Sequence, residues 1–423
     1  MEDMMEWKER PNEQRVVITG MGAITPLGLN VESYWDSLTK GISGIEFVSA
    51  FDATDYPCVV AGEIKGFDPK LYIEPKQVRR MSRFTQLAVA ATEEAILNSQ
   101  LKLDNEDKEK IGVVLGNGIG GFPDTEDQVK ILAQRGWSKV SPLYMSKMLP
   151  NMAAGNIAMR YGLQGYNSTA VTACAAATQA IGDAVNVIKS GRAHTMITGG
   201  SEGAISAMGL AAFSAMRALS QRKDDPHGAS RPFDSDRDGF VPAEAAGIFV
   251  IESLTHAVAR KAPILAEIIG SASTSDAYDF VAPREDGSGA ARTMNLAIKD
   301  AGIQSESIDY INAHGTSTPI GDLAETTAIK RVFGETTQVP VSSTKYMTGH
   351  PLGASGAIEA IACVQTIRSG IIHPTINLDN PDPNCNLDYV PNVARKAEVK
   401  IALSNSFGFG GQNACVIISQ YED

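Results

Sequence analysis

Cys174, His314 and His350 are the side chains of this sequence whose types and settings suit covalent chemistry. Cys174 lies within Ser168-Thr-Ala-Val-Thr-Ala-Cys-Ala-Ala-Ala-Thr-Gln-Ala-Ile-Gly182. The first half, through Ala173, is short and β-branched and reads as a strand. Beyond it Ala177, Ala180, Ile181, Ala184 and Ile188 recur at helical spacing, with Gly191 as a C-cap. A cysteine at such a strand–helix turn meets unpaired N–H groups and the positive end of the helix dipole, which lower a thiol's pKa and favour thiolate. Taken alone, a cysteine there is more often a buried small hydrophobe. Two of the six histidines change that balance. His314 stands in Asn312-Ala-His-Gly-Thr-Ser-Thr-Pro-Ile-Gly-Asp322 and His350 in Ser342-Ser-Thr-Lys-Tyr-Met-Thr-Gly-His-Pro-Leu-Gly353, each directly after an apolar strand. Histidines at strand ends among Gly and Thr fit active-site loops better than satisfied core positions. Metal binding would need ligands at close helical or hairpin spacing, which are lacking, so no metal is expected.

The elements that carry these loops alternate strand and helix. Strands are predicted at 15–20, 111–116, 264–271, 308–313, 339–343, 400–404 and 414–419, with helices at 31–40, 75–97, 290–301 and 355–368. This alternation predicts α/β layers with largely parallel sheets. An echo suggests duplication: Ile188-Lys-Ser-Gly191 recurs as Ile367-Arg-Ser-Gly370 at an offset of 370 − 191 = 179, which aligns Cys174 with Gly353. Two motifs invite other chemistry and are set aside. Gly116, Gly118 and Gly121 fit G-x-G-x-x-G, but no second strand ends in an acidic residue about 20 positions on, so close packing is the better account. Asp234-Ser-Asp-Arg-Asp-Gly239 opens like a calcium loop, yet its twelfth position is Ala245 and not the required Glu.

Composition bounds the rest. At 423 residues, 43% hydrophobic and 20% charged, the chain has room for two to three structural units. Five cysteines without CxxC spacing indicate a reduced, cytoplasmic compartment. No apolar run approaches the roughly 20 residues that span a bilayer. Met1 to Gln14 carries Glu2, Asp3, Glu6, Glu9 and Glu13, too acidic for a targeting peptide, and reads as a flexible extension. A net charge of −12 argues against nucleic acid and anionic membrane as partners.

The motifs Thr172-Ala-Cys-Ala-Ala-Ala, Asn312-Ala-His-Gly-Thr-Ser-Thr-Pro-Ile-Gly-Asp, Ser343-Thr-Lys-Tyr-Met-Thr-Gly-His and Asn405-Ser-Phe-Gly-Phe-Gly-Gly occur in this order. From Arg15 to the last strand the sequence resembles the β-ketoacyl-[acyl-carrier-protein] synthases, most closely the elongating type II branch. The resemblance implies a thiolase-like α/β fold of two duplicated halves, with mixed sheets layered between helices, at 15–260 and 261–423, in a homodimer. It implies that Cys174 takes an acyl chain from an acidic acyl carrier protein, with Cys174 and Phe409 N–H groups as oxyanion hole. His314 and His350 would stabilise the enolate left when malonyl carrier protein loses carbon dioxide, as neutral N–H donors. Two histidines point to the elongating branch, since the initiating branch uses one His and one Asn. Lys345 and Glu359 would order the histidine loop if their ion pair is buried. Thr316 and Thr318 would touch the phosphopantetheine arm, which arrives on the carrier, so no resident cofactor is implied. Phe240 and Phe409 would act as gates, Ile119 would line the acyl pocket, and Phe407 joins the substrate-binding set. Pro351 and Ser355 depart from the leucine and alanine expected after His350. An enzyme at −12 needs a local basic patch for an acidic partner, and Lys76, Arg79, Arg80 and Arg83 on one helix, with Arg217 and Arg222, are the candidates. A thiolase would carry a second cysteine in the C-terminal glycine loop and a non-catalytic chain-length factor would lack Cys174; a polyketide-type synthase stays open.

Overall fold

The computed structural model describes residues 6–422. Ten strands form one sheet: β1 (Val16–Ile24), β2 (Ile111–Gly116), β3 (Asn167–Ala170), β4 (Thr195–Gly203), β5 (Glu244–Ser253), β6 (Ala266–Ser275), β7 (Tyr310–Asn312), β8 (Val341–Ser342), β9 (Ile401–Gly408) and β10 (Gln412–Ser419). Across the sheet they run β8-β7-β9-β10-β6-β1-β5-β4-β2-β3. The order β3-β2-β4-β5-β1 of one half is therefore repeated as β8-β7-β9-β10-β6 in the other. The strand senses repeat too. β3 with β2 and β2 with β4 are parallel, while β4 with β5 and β5 with β1 are antiparallel. The second half matches pair for pair, and β1 meets β6 antiparallel where the halves join. The sheet is thus mixed and not largely parallel. One reason is plain at β9 and β10, which a three-residue connection, Phe409–Gly411, can join only as a hairpin.

Four helices set the layers: α1 (Arg83–Ser99), α2 (Ala176–Lys189), α3 (Ser288–Ala301) and α4 (Ser355–Ser369). α2 and α4 pack on each other and on strands of both halves; α1 covers the outer face of the first half-sheet and α3 that of the second. A helix clasped on both sides buries most of its surface, and α4 buries twelve of its fifteen residues, Glu359 among them. Small residues let these layers close. A Cβ on Gly116 would stand 2.3 Å from Ala177 N, and one on Gly356 1.8 Å from Thr178 Oγ1 where α2 and α4 cross. Close packing is therefore what Gly116 provides.

The echo at offset 179 marks equivalent elements. α2 follows β3 and α4 follows β8, each after a short 3₁₀ turn, Ala173–Ala175 and Leu352–Ala354. In each turn a non-glycine residue takes the left-handed region: Ala173 at φ 49° and Leu352 at φ 40°. Their separation is again 352 − 173 = 179. Such conformations cost of order 1–3 kcal/mol and persist where the surroundings demand them.

Three expectations are corrected. Residues 75–97 are not one helix: a short helix ends at Val78, and α1 starts at Arg83. The break is held by Ser82, extended at ψ 163°, whose hydroxyl bonds Lys147 O at 2.7 Å. Residues 6–14 are not a free arm, because Trp7 is buried with Met294 and Ala297 of α3, and Arg10 donates to Ile269 O at 3.1 Å; residues 1–5 lie outside the described chain. The C-terminal glycine segment is strand through Gly408, and only Phe409–Gly411 is loop. Asp234 is spent on its own turn, accepting from Arg231 at 2.9 Å and from the amides of Asp236, Asp379 and Asn380.

Candidate active site

Equivalent turns in the two halves bring the reactive groups together. Cys174, in the turn before α2, is 7% exposed, and its Sγ lies 2.9 Å from Nε2 of His350, which stands two residues ahead of the turn before α4. His314, just past β7, sets its ring at 88° to that of His350 with centroids 5.5 Å apart. All three face a cavity of about 420 Å³, lined also by Ile119, Phe240, Thr316, Thr318, Phe407, Phe409 and Arg217. Gly408 closes the wall behind the nucleophile, where a Cβ would meet Thr172 O at 2.8 Å and Cys174 N at 3.0 Å. The Thr316 and Thr318 hydroxyls lie 3.1 Å apart.

Electrostatics differ from the sequence expectation at the thiol and agree with it at the rings. Burial pushes Cys174 up to about 12, outweighing the pull of the Lys345 charge, so the resting group is a thiol and not the thiolate that the turn suggests. Burial holds His314 and His350 well below the usual imidazole range, and the nearby Lys345 charge adds to it. Both rings are therefore neutral. Each can donate one N–H without giving up a proton.

Lys345 and Glu359 meet the condition of burial. Their ion pair lies in the core, at 1% and 0% side-chain exposure, and Lys345 Nζ also donates to His314 O at 2.5 Å. The pair thus ties the His314 loop to α4. A second carboxylate holds the same loop from the other side of the chain. Glu325 accepts from His314 N and Gly315 N, both at 2.8 Å, and burial pushes it up to about 7. Glu202 accepts from Gly118 N at 2.7 Å and Gly353 N at 3.1 Å, joining the Ile119 loop to the His350 loop. Neither was singled out from the sequence, because a lone Glu in a strand or helix carries no spacing signal. Phe213 was also missed. It lies between Phe240 and Phe409, with centroids 5.4 Å and 6.4 Å away, in a helix whose other side chains are apolar but for Ser214, so that no polar pattern marks it.

The basic candidates do not form one helical face. Lys76, Arg79 and Arg80 are exposed around the short helix, and Arg217 is exposed at the cavity. Arg83 is engaged elsewhere: its guanidinium pairs with Glu244 at 2.9 Å and lies over the Phe67 ring. Arg222 is half-buried and donates to Asp236 O at 3.0 Å.

Residues 13–257 match the β-ketoacyl synthase N-terminal domain, and residues 265–379 match the β-ketoacyl synthase C-terminal domain. The chain belongs to the β-ketoacyl synthase family. Among curated relatives, a 3-oxoacyl-[acyl-carrier-protein] synthase 2 from Synechocystis is 49% identical over 411 residues, covering 97% of this chain and 99% of that protein. One of the same name from Staphylococcus aureus is 47% identical over 410 residues, covering 97% and 99%. A β-ketoacyl synthase structure from Burkholderia phymatum superposes with TM-score 0.90 at 35% identity, covering 96% and 100%. The structure of a type II polyketide acyl-carrier protein in complex with its ketosynthase gives 0.88 at 33%, covering 96% and 99%. Family membership agrees with the mixed sheet and the two-part architecture described above.

Proposed function

We propose that this protein is an elongating condensing enzyme that lengthens a carrier-bound acyl chain by two carbons. The observation that carries the reading is the contact between Cys174 Sγ and His350 Nε2, with neutral His314 beside it, in a chain of this family. In the first half-reaction the Cys174 sulfur attacks the acyl thioester of the carrier protein. The new C–S bond replaces the one to pantetheine, and the thiol proton ends on the departing sulfur. The Cys174 and Phe409 amides receive the developing oxyanion, beside a Gly408 that leaves no side chain in the way.

In the second half-reaction malonyl carrier protein loses carbon dioxide, and the electron pair of the broken C–C bond moves into an enolate. His314 and His350 donate N–H bonds to the thioester oxygen that gains this charge. Decarboxylation leaves no proton to remove, so neutral donors suit the step better than a base. The enolate carbon attacks the acyl carbonyl, Cys174 leaves as thiolate, and a proton taken up from solvent restores the thiol. Thr316 and Thr318 steady the pantetheine arm, which comes with the carrier, so the reaction draws on no resident cofactor.

An acidic acyl carrier protein is the partner we infer. The complex between a type II polyketide carrier protein and its ketosynthase supports it, as do exposed Lys76, Arg79, Arg80 and Arg217 on a chain of net charge −12. A homodimer is supported by β3, which ends the sheet with an open edge, and by Met159, Tyr166 and Val171 exposed around it. Five buried free cysteines favour a cytoplasmic setting. No helix among the described residues is long and apolar enough to cross a membrane.

The test is intact-mass measurement after mixing the protein with acyl-loaded carrier protein, then with malonyl carrier protein. An adduct mapped to Cys174 and absent in Cys174→Ala, followed by a product two carbons longer, is expected. No adduct in the presence of a carrier shown to be active would refute the reading.

A further inference from the structure

His350 is held through both ring nitrogens. Nε2 faces the Cys174 sulfur at 2.9 Å, and Nδ1 faces Ser355 Oγ, also at 2.9 Å. Ser355 is the first residue of α4 and is fully buried, so water does not compete for its hydroxyl. The backbone carbonyl four residues back, Pro351 O, already accepts the Ala354 amide at 2.8 Å. A buried hydroxyl needs a partner, and His350 Nδ1 is the one within reach.

A neutral imidazole carries one donor and one acceptor nitrogen, and the bond at one nitrogen decides the role of the other. The proposed condensation needs the proton on Nε2, because a bare nitrogen there would repel the enolate oxygen. His314 offers a contrast, since its Nδ1 is buried with no hydrogen-bond partner. Its backbone is pinned through Lys345 and Glu325, and its ring tautomer is not. Ser355 is also one of the two positions where this sequence departs from the residues expected after His350.

We propose that Ser355 is a positioning residue for condensation: its hydroxyl donates to His350 Nδ1 and holds the ring proton on Nε2, the nitrogen that faces the acyl-carrying sulfur. The inference rests on the condensing reading above and adds what sets the tautomer. Removing the hydroxyl leaves Nδ1 buried without a donor. Both tautomers then become populated, and only one of them can stabilise the enolate.

The experiment compares the wild type with Ser355→Ala and Ser355→Cys, all ¹⁵N-labelled at histidine and acylated on Cys174. The His350 signals are identified by their loss in His350→Asn. The wild-type ring is expected as the Nε2–H tautomer, and the alanine variant as a mixture. Loss of a buried hydrogen bond predicts a condensation kcat about tenfold lower in Ser355→Ala, with KM for malonyl carrier protein unchanged. The cysteine variant, a weaker donor of similar size, falls between. Acylation of Cys174, followed by mass, reports that each variant is folded and competent. An alanine variant with the wild-type tautomer overturns the role of Ser355, whether or not its rate falls. A mixed tautomer with an unchanged condensation rate overturns it as well. A wild type that is never acylated overturns the condensing reading instead.

Discussion

Breaking the Lys345–Glu359 pair separates what this contact does for folding from what it does for catalysis. Both groups are buried, and Lys345 Nζ also reaches His314 O at 2.5 Å. Glu359→Leu leaves a buried ammonium without its counter-charge, which costs about 3–5 kcal/mol. At about 2.1 cal/mol/K per residue, unfolding 423 residues carries an entropy of about 0.9 kcal/mol/K, so Tm should drop by about 3–6 °C. The double variant Lys345→Met/Glu359→Leu replaces the pair with apolar groups, which is often neutral or stabilising, and should return Tm to within about 2 °C of the wild type. Condensation should not return with it. The charged donor to His314 O is gone, and a charge-assisted hydrogen bond of about 1.5–3 kcal/mol corresponds to a ten- to hundredfold loss in kcat. Calorimetry and a steady-state condensation assay on the three proteins decide the matter. A double variant that recovers both stability and rate would show that the pair serves the fold alone. An unchanged Tm in Glu359→Leu would refute the buried-charge argument itself.

Gly408→Ala should abolish acylation while sparing the global fold, because the added methyl meets Thr172 O and Cys174 N at 3.0 Å or less; a wild-type acylation rate would refute the crowding. Reversing Arg79 and Arg80 to Glu should raise KM for carrier-bound substrate and leave pantetheine analogues unaffected. Arg83→Glu should instead lower Tm, since it sets two carboxylates against each other at Glu244; equal behaviour of the two variants would contradict this division. At His256 burial opposes ionisation, but bonds to Glu252 at 2.6 Å and Glu106 at 3.0 Å win and raise its pKa. Its contribution to stability is therefore complete below the unfolded value of about 6.5 and is lost as pH rises through the folded value. The stability gap between wild type and His256→Gln should shrink from pH 5.5 to 9, and a gap that widens would reverse the assignment.

The site was legible in the sequence where local pattern and chemistry coincide. Cys174, His314 and His350 each stand beside an apolar strand in a loop of small residues, and the offset of 179 already paired the nucleophile turn with the His350 loop. The strands and central helices were legible for the same reason, since burial on both faces leaves continuous apolar runs. What escaped depends on distant partners. Glu202 and Glu325 act by accepting amides of loops more than eighty and about ten residues away, respectively, and nothing near them announces it. Ser82 breaks the predicted 75–97 helix through a bond to Lys147, again a tertiary event. The strand directions failed because alternation of element types does not encode where a chain turns back. The thiol's charge state failed because a dipole argument is local, whereas burial of Cys174 is completed by the opposite half.

That the centre is built from two halves has a kinetic consequence. Cys174 and His350 are 176 residues apart, and each half can lay down its own strands before they meet. Contacts of such sequence separation form late, and intermediates of large chains expose what the native state covers. Until α4 closes over α2, the Cys174 thiol is open to oxidation, and the apolar faces of both central helices are open to other chains. Recovery of the contact between Cys174 and His350 during refolding therefore reports the docking of the halves. A reducing milieu protects the chain most at that step, before any substrate is bound.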